Sequence, residues 1–203
     1  MANVNAPFGL LPYGLNNSPS TPSFPTITRK IAQANTNVLA KGDPCIDLNT
    51  GYIDRTTGTP VTSAASLYCG VFWGCEYVSV SQGKKVWSTY WPGGDAAGDA
   101  TAYLVPLMGA TPGVFMIQAL ADPVVFADIG RNGQFSYAAP SGGGIYKKSG
   151  VTLDTTTNTT ATWPLRIIGL LSQISAPGAP GTDDTASYNI ALVSFNSLQV
   201  TGI

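Results

Sequence analysis

Short apolar runs, bounded by glycine, proline, asparagine and aspartate, recur along almost the whole of this chain. Runs of this length with turn residues at both ends are typical of β-strands. No run has the apolar spacing of a helix of three turns, and only "SAASLY" at Ser63–Tyr68 fits a single helical turn. The pattern therefore predicts an all-β body, either a β-sandwich or a jelly-roll-like β-barrel. The predicted strands are Ile27–Ala32, Val38–Ile46, Val71–Val80, Lys85–Trp91, Ala102–Leu107, Val114–Leu120, Val124–Ile129, Gly144–Lys148, Leu165–Ile174 and Tyr188–Phe195.

The first 28 residues differ in composition from the rest of the chain, since they contain five prolines and no charged side chain. Proline is excluded from helix interiors and from central strands. Residues 1–28 are therefore predicted to form an extended arm, and residues 29–203 the body. The arm is too apolar to prefer water, so it is expected to lie on its own body or on a neighbouring subunit. Its candidate anchors are Phe8, Leu10, Tyr13 and Phe24.

Two predicted strands, Val114–Leu120 and Tyr188–Phe195, are apolar on both faces. An antiparallel strand in a lone sandwich usually leaves one face to water. Both faces are thus expected to be covered, by a loop or arm of the same chain or by another subunit. Because charged residues make up only 10% of the chain, against about 25% in ordinary soluble domains, we favour a protein that belongs to an assembly.

Charge and hydropathy argue against nucleic acid and membrane as partners. The formal net charge is -1, and the sequence contains no basic stripe that would displace the counterions of a nucleic acid. The uncharged stretch Ala102–Ala121 contains the turn signal "GATPG" at its centre. That signal indicates two strands joined by a turn in place of a membrane helix.

The absence of histidine removes much chemistry. Without it the chain cannot form a Ser-His-Asp triad, a Cys-His pair or an imidazole metal site. Glu76 is an acid within a predicted strand, and no partner for paired-carboxylate catalysis can be named. We therefore expect no enzymatic activity, cofactor or metal. Cys45, Cys69 and Cys75 lack C-x-x-C spacing, so we expect buried thiols, with an intersubunit disulfide as the alternative.

The stretch "STYWPGGDAAGD", Ser88–Asp99, sets aromatic residues beside a glycine-aspartate pattern. One interpretation makes Asp95 and Asp99 ligands of a metal ion. Calcium-binding repeats of this kind occur in tandem, however, and the chain has one imperfect copy. We predict a turn, in which proline presets one dihedral angle, glycine allows positive φ and aspartate caps the turn.

The strand before this stretch is predicted to form a hairpin across "QGKK". Alternation places Val71, Trp73, Cys75 and Tyr77 on one face of that strand, with aromatic pairing to the returning strand. The alternative is a carbohydrate-binding β-sandwich, whose sugar platform would consist of Trp73, Trp87, Tyr90, Trp91 and Trp163.

The order of several motifs resembles that of small structural proteins of tailed bacteriophages. Such proteins commonly open with a phrase like "MANVNAPFGLLP", as this chain does. The other matching motifs are Lys41-Gly42-Asp43, "GVFWGCEY" at Gly70–Tyr77, "YWPGG" at Tyr90–Gly94, "FMIQA…FADIG" within Phe115–Gly130 and "PLRIIGL" at Pro164–Leu170. The resemblance covers most of the chain, and its motifs are structural in kind. It implies a capsid decoration, or cement, protein.

The resemblance implies a location on the outer surface of the virion capsid, after assembly in the host cytoplasm. The implied partners are the major capsid protein and further copies of the chain, with a homotrimer favoured over a homodimer. A protein that binds the assembled shell preferentially stabilises it, and symmetry repeats each contact. Because its five prolines give the arm no regular hydrogen-bond ladder of its own, it is expected to contribute to binding more than to folding. Phe8, Leu10, Tyr13 and Phe24 are the candidate contacts with the capsid or a neighbouring subunit.

Overall fold

The computed structural model describes residues 3–15, 26–56, 68–107, 113–142, 146–157, 159, 163–171, 183 and 185–196. Within these residues the chain forms β-strands that pair antiparallel, one short 3-10 helix and no α-helix. The all-β prediction is therefore confirmed. The strands are β1 (Leu11–Leu15), β2 (Ile27–Ile31), β3 (Leu39–Ala40), β4 (Pro44–Asp47), β5 (Ile53–Arg55), β6 (Tyr68–Ser79), β7 (Lys84–Ser88), β8 (Tyr90–Trp91), β9 (Ala100–Val105), β10 (Gly113–Gln118), β11 (Asn132–Gly133), β12 (Phe135–Ser136), β13 (Thr152–Leu153), β14 (Leu165–Leu170) and β15 (Ile190–Phe195), and the 3-10 helix is η1 (Phe126–Asp128).

In the described part of the chain these strands form two larger and two small sheets. The five-stranded sheet has the order β1-β10-β15-β14-β11. The six-stranded sheet has the order β2-β9-β6-β4-β5, with β7 paired to β6. The small sheets are β12-β13 and β3-β8. Because both larger sheets end in edge strands, the body is sandwich-like and is not a single closed barrel.

The first hydrophobic core lies against one face of the five-stranded sheet. Phe115 and Ile117 of β10 and Val193 of β15 meet there with Phe135 of β12. The rings of Tyr68 and Phe135 pack edge to face with centroids 5.5 Å apart. Burial of side chains this large contributes about 1.5–3 kcal/mol each. This core accounts for the apolar inner faces of β10 and β15.

The second core joins the six-stranded sheet to the small β3-β8 sheet. Trp91 of β8 is fully buried, and its ring packs against Tyr77 of β6 with centroids 5.5 Å apart. The buried indole N–H of Trp91 donates to the Asn35 carbonyl at 3.0 Å, which satisfies its polar end. Phe72 of β6 and Leu104 of β9 also belong to this core.

Strand β6 contributes to both cores because its successive side chains point to opposite faces of the sheet. Its pairing with β9 is irregular between Phe72 and Gly74. Val71 belongs to the first core and Phe72 to the second. Trp73 packs against the first core, whereas Cys75 and Tyr77 lie in the second. The prediction that Val71, Trp73, Cys75 and Tyr77 share a face is therefore wrong. A bulge adds one residue and reverses the alternation beyond it.

The predicted hairpin across "QGKK" is confirmed by β6 and β7. The predicted aromatic pairing across it is wrong, because Tyr77 pairs with Val86 and Trp87 with Glu76. The interpretation of Ala102–Ala121 as two strands is also confirmed, because β9 and β10 occupy it. Among the residues that the structure describes, no helix has the length and apolarity needed to span a membrane.

The two-sided apolarity of β10 and β15 is confirmed. Phe115 faces the first core, whereas Val114 and Met116 lie in a small third cluster with Leu192. Tyr13 of β1 packs against this cluster, so part of its cover comes from the predicted arm of the same chain. The remaining members of the third cluster are Leu171 and Ile190.

Two predicted strands are corrected by local turns. Val38–Ile46 is split into β3 and β4 at Lys41–Asp43, because Gly42 has a φ of +99° that no strand accommodates. Val124–Ile129 contains η1 instead of a strand, since the Asp128 carboxylate accepts the Val125 amide at 3.0 Å and thereby closes a turn.

Other predicted segments fall partly or wholly outside the described residues. For Gly144–Lys148, residues 143–145 lie outside them, and Lys148 makes only isolated bridges. Residues 63–67 of the predicted helical turn also lie outside, and Tyr68 opens β6. The predicted boundary between arm and body, at residue 28, lies within β2.

Candidate interaction surface

The described beginning of the predicted arm, residues 3–15, lies on its own body. Leu10 is fully buried in the first core, and its amide donates to the Gly42 carbonyl at 2.8 Å. Strand β1 then pairs antiparallel with β10. The sequence left open whether the arm lies on its own body or on a neighbouring subunit, and residues 3–15 lie on their own body. The side chain of Leu10 is thus a core side chain, which corrects its expected role as a contact with a neighbour.

The position of β1 explains why a proline lies in a strand. Pro12 is on an edge strand and next to a β-bulge between Pro12 and Gly14. At an edge, the missing N–H of proline interrupts no ladder. Because the first 28 residues contain five prolines, their sequence does not predict a strand. The strand is identified by its pairing with β10.

Side-chain hydrogen bonds hold the residues before β1. Gln118 of β10 donates to the Val4 carbonyl at 2.9 Å and accepts the Ala6 amide at 3.0 Å. Asn3 donates to the Asp183 carbonyl at 2.8 Å. Phe8 and Tyr13 stay partly exposed, and an interface role for them stays a prediction. Phe24 lies outside the described residues.

A buried polar group, which we name the Asp43 junction, lies where this segment crosses the turn between β3 and β4. It consists of Gly9, Gly42, Asp43 and Ser149. The fully buried Asp43 carboxylate accepts the Ala40 amide at 2.8 Å and the Ser149 hydroxyl. An added Cβ on Gly42 would lie 2.6 Å from the Phe8 carbonyl oxygen. The two backbones therefore touch only because this residue has no side chain.

Burial dominates the electrostatics of the junction. It raises the pKa of the Asp43 carboxyl to about 6, against the opposing effects of hydrogen bonds from Ala40 and Ser149 and of the Arg55 charge. Burial also lowers the pKa of neighbouring Lys41, whose ammonium lies 3.6 Å from the centre of the Trp73 ring. The junction has a structural role, because its polar atoms form hydrogen bonds with one another.

The glycine-aspartate stretch forms turns, as predicted. Asp95 accepts hydrogen bonds from the Ser79 hydroxyl at 2.5 Å and the Ser81 amide at 2.9 Å, and these bonds lower its pKa. Asp99 accepts the Gln33 amide at 2.9 Å and the Tyr52 hydroxyl at 2.8 Å, which lower its pKa likewise. Both carboxylates therefore hold the ends of loops together. Among the described residues no cluster of three metal-ligating side chains is present.

The candidate aromatic residues for a sugar platform do not form one surface. Trp91 is a core residue, and Lys41 covers the ring of Trp73. Trp87 is 55% exposed on the β6-β7 hairpin and lies over Gly74, whose added Cβ would be 2.7 Å from the indole. Trp87 is paired across the strands with Glu76, whose pKa is lowered by a hydrogen bond from Lys85.

The cysteine side chains are free thiols. Cys45 and Cys75 are buried, and Cys69 is partly buried. Burial raises the pKa of the Cys69 and Cys75 thiols to about 12 and raises that of Cys45 as well. A thiol with so high a pKa is a poor nucleophile, which favours the interpretation as buried thiols.

The structure reveals exposed apolar side chains that the sequence did not single out. Phe126 is 82% exposed and Tyr146 is 70% exposed. Phe126 lies in the predicted strand Val124–Ile129, where alternation gives no sign of its exposure. In the sequence, Asp128 is the residue that could have indicated a turn here, since an aspartate that can cap a preceding amide favours a turn over a strand.

A shallow pocket of about 520 Å³ lies between the loop after β2 and the segment before β9. It is lined by Ala32, Gln33, Ala34, Gly94, Ala96 and Asp99.

Comparison of the chain with protein-family models, with curated proteins and with solved structures gives no match.

Proposed function

We propose that this chain is a virion structural protein that decorates a tailed-phage capsid and stabilises it by bridging neighbouring capsid subunits. Its partners are the major capsid protein and further copies of itself, and its role is not catalytic. Its location is the outer surface of the capsid.

The observation that carries this proposal is the order of motifs that resembles small phage structural proteins. These motifs lie in the parts of the chain that build the fold. "GVFWGCEY" lies within β6, the strand that both cores share, and Lys41-Gly42-Asp43 forms the turn of the Asp43 junction. "PLRIIGL" contains β14. The resemblance therefore concerns the architecture of the body, as expected for a protein whose task is to bind and brace.

The surface chemistry agrees with such a task. The chain has few charges, and several large apolar side chains remain exposed on a hydrogen-bonded β body. A binder of this kind shifts the capsid towards its assembled state, and the lattice multiplies each contact.

The proposal is tested by stripping the chain from phage particles, adding the purified protein back and locating it by cryo-EM. We expect density at regular lattice sites on the outer surface and a higher melting temperature of decorated capsids. If the chain is absent from particles, or rebinds without regular sites, the proposal is wrong.

Variants separate the arm from the rest of the surface. Phe8→Ala and Tyr13→Ala remove partly exposed side chains of the arm, and we expect them to lower capsid occupancy. The matched control is Leu48→Ala, because Leu48 is partly exposed outside the arm. If Phe8→Ala and Tyr13→Ala occupy capsids as fully as Leu48→Ala does, the arm has no interface role.

A further inference from the structure

Two of the three cysteines lie side by side on the paired strands β4 and β6. In the register of this pair, Cys45 is opposite Gly70, whereas the next residue of β4, Ile46, is opposite Tyr68. Cys69 is therefore the extra residue of a β-bulge and lies next to Cys45 across the ladder. Opposed residues of antiparallel strands have Cα atoms about 4.5–5.5 Å apart, which is within the range of about 4.4–6.8 Å that a disulfide bond needs.

The two side chains also lie on the same side of the sheet. Cys45 is fully buried in the second core, and Cys69 packs against that core. The Cys69 thiol donates to the Cys45 carbonyl at 3.4 Å, and the Cys45 thiol donates to the Asp43 carbonyl at 3.8 Å. Burial raises the pKa of Cys45, and the nearby Cys69 raises it further. Because thiols are weak donors, a covalent bond between the two sulfur atoms would replace only weak hydrogen bonds.

The third cysteine, Cys75, does not share this arrangement, although it also belongs to β6. It is six residues beyond Cys69, which corresponds to about 20 Å along a strand at about 3.3 Å per residue. Its register partners are Ser88 and Ala102, and its thiol donates to the Tyr90 carbonyl at 3.5 Å. Burial by itself raises its pKa to about 12. The chain thus contains one pair of neighbouring thiols and one separate buried thiol.

We propose that Cys45 and Cys69 form an intrachain disulfide bond when the folded protein meets a small-molecule disulfide such as glutathione disulfide. Cys69 reacts first, because it is partly buried whereas Cys45 is buried. Its thiolate attacks the small disulfide, forms a mixed disulfide and releases one small thiol. The Cys45 thiolate then attacks the Cys69 sulfur and displaces the second small thiol. Two protein thiols are thereby oxidised, one small disulfide is reduced, and the two cysteine protons end on the released thiols.

The surroundings of the thiols determine how fast this exchange occurs. Burial raises the pKa of Cys69 to about 12, and Asp47 contributes in the same direction while the charge of Arg29 opposes it. Since the thiolate is the reacting form, the exchange is slow at neutral pH and its rate increases with pH. A chain in a reducing compartment keeps both thiols, whereas prolonged exposure to oxidising surroundings converts them.

The bond would cross-link β4 to β6, the strand that both cores share. It constrains the unfolded chain between residues 45 and 69, which favours the folded state. For a chain of this length we expect the melting temperature to rise by about 5–10 °C relative to the reduced protein. The inference concerns contacts within one chain, so it is independent of capsid binding.

The test incubates the folded, full-length protein with glutathione disulfide at about pH 8.5. The remaining thiols are then blocked with iodoacetamide in urea, and the protein is digested. Trypsin cleaves after Arg55 and chymotrypsin after Trp73, so the fragments separate the three cysteines. Mass spectrometry should find Cys45 linked to Cys69, and Cys75 alkylated. Cys75→Ala is the matched control and should form the same link with the same rise in melting temperature, whereas Cys69→Ala should show neither.

Circular dichroism before oxidation checks that both variants are folded. A link between Cys69 and Cys75, covalent dimers on non-reducing electrophoresis, or a Cys69 that carries only glutathione would each overturn the inference. So would a rise in the melting temperature of Cys69→Ala equal to that of the wild type under the same treatment. A protein that binds capsids but never forms the Cys45–Cys69 link would overturn this inference and leave the proposed function standing.

Discussion

At the scale of single residues, Asp43 places an ionisable side chain inside the body. Its carboxylate is fully buried, and it accepts one backbone and one hydroxyl hydrogen bond. It joins the turn between β3 and β4 to Ser149, directly below the crossing of residues 8–10. An ionisable group in this position makes the stability of the fold depend on pH.

The first prediction concerns that dependence. Burial raises the pKa of the Asp43 carboxyl to about 6 in the folded protein, from its ordinary value of 3.8. Between these values the folded state holds a proton that the unfolded state has released. The contribution of Asp43 to the free energy of unfolding is therefore greatest below the lower value, and it falls by about 3 kcal/mol as pH rises from about 4 to about 6. Urea denaturation across this range measures the change.

Asp43→Asn serves as the comparison, since it removes the titrating group. It also leaves one amide oxygen for two donors, so we expect a loss of about 1–3 kcal/mol near pH 4, where Asp43 is protonated. The profile of the variant should be flatter between about pH 4 and 6, so the difference from the wild type shrinks towards neutral pH. Asp99→Asn is the control, because the pKa of Asp99 is lowered and its stabilisation is lost only as pH falls through that lowered value. If the free energy of unfolding of Asp43→Asn falls with pH as steeply as that of the wild type, Asp43 is not the group responsible for the fall.

The second prediction concerns Gly42. Gly42→Ala combines a positive φ with a Cβ placed 2.6 Å from the Phe8 carbonyl oxygen. Gly83 also has a positive φ, of +62°, but an added Cβ would meet nothing within 4 Å. We expect a loss of about 3 kcal/mol or more for Gly42→Ala and about 1 kcal/mol for Gly83→Ala, by urea denaturation. Equal losses would mean that the arm does not cross the turn closely.

At the scale of elements, β1 and the residues before it determine how the predicted arm behaves. The expectation that the arm matters more for binding than for folding followed from its prolines. In the structure, Leu10 belongs to the first core and β1 extends the five-stranded sheet. This part of the arm is thus expected to contribute to the stability of the body.

The third prediction tests this contribution. Leu10→Ala leaves a cavity in a packed core, so we expect it to lower the free energy of unfolding by about 3 kcal/mol. Phe8→Ala, two residues earlier and partly exposed, should lower it by less than half as much. Thermal and urea denaturation of both variants provide the measurement. If Leu10→Ala is as stable as the wild type, residues 3–15 do not pack as described.

At the scale of the whole molecule, β6 joins two cores that would otherwise belong to separate sheets. Val71 faces the first core and Phe72 the second, on neighbouring residues of one strand. Loss of packing in either core therefore disturbs the strand that the other core requires. Sharing of this kind favours a single cooperative unfolding transition.

The fourth prediction follows from that sharing. Phe72→Ala removes a side chain from the second core only, yet we expect hydrogen-exchange protection to fall by about 3–4 kcal/mol in β15 of the first core as well as in β9. Val78→Ala, at a half-exposed position of the same strand, is the control and should change little. If β15 keeps its protection while β9 loses it, the two cores unfold independently.

Local sequence patterns were sufficient for much of the fold. The turn signals and short apolar runs gave the all-β class, alternation gave the two faces of β10 and β15, and "QGKK" gave the β6-β7 hairpin. These features depend on residues within a few positions of one another. For the candidate surface, the sequence correctly drew attention to an apolar beginning of the chain but not to its position.

Tertiary structure decided the features that depend on distant partners. Pro12 is compatible with a strand only because β1 lies at a sheet edge beside β10, about a hundred residues away in the chain. The irregularity after Phe72 exists only in the pairing with β9, and the exposure of Phe126 depends on the contacts of Asp128 and Asn189. Periodicity describes which side chains point together within one segment. It contains no information on which segment becomes the neighbour, and the neighbour determines whether a side chain is buried, bonded or left facing water.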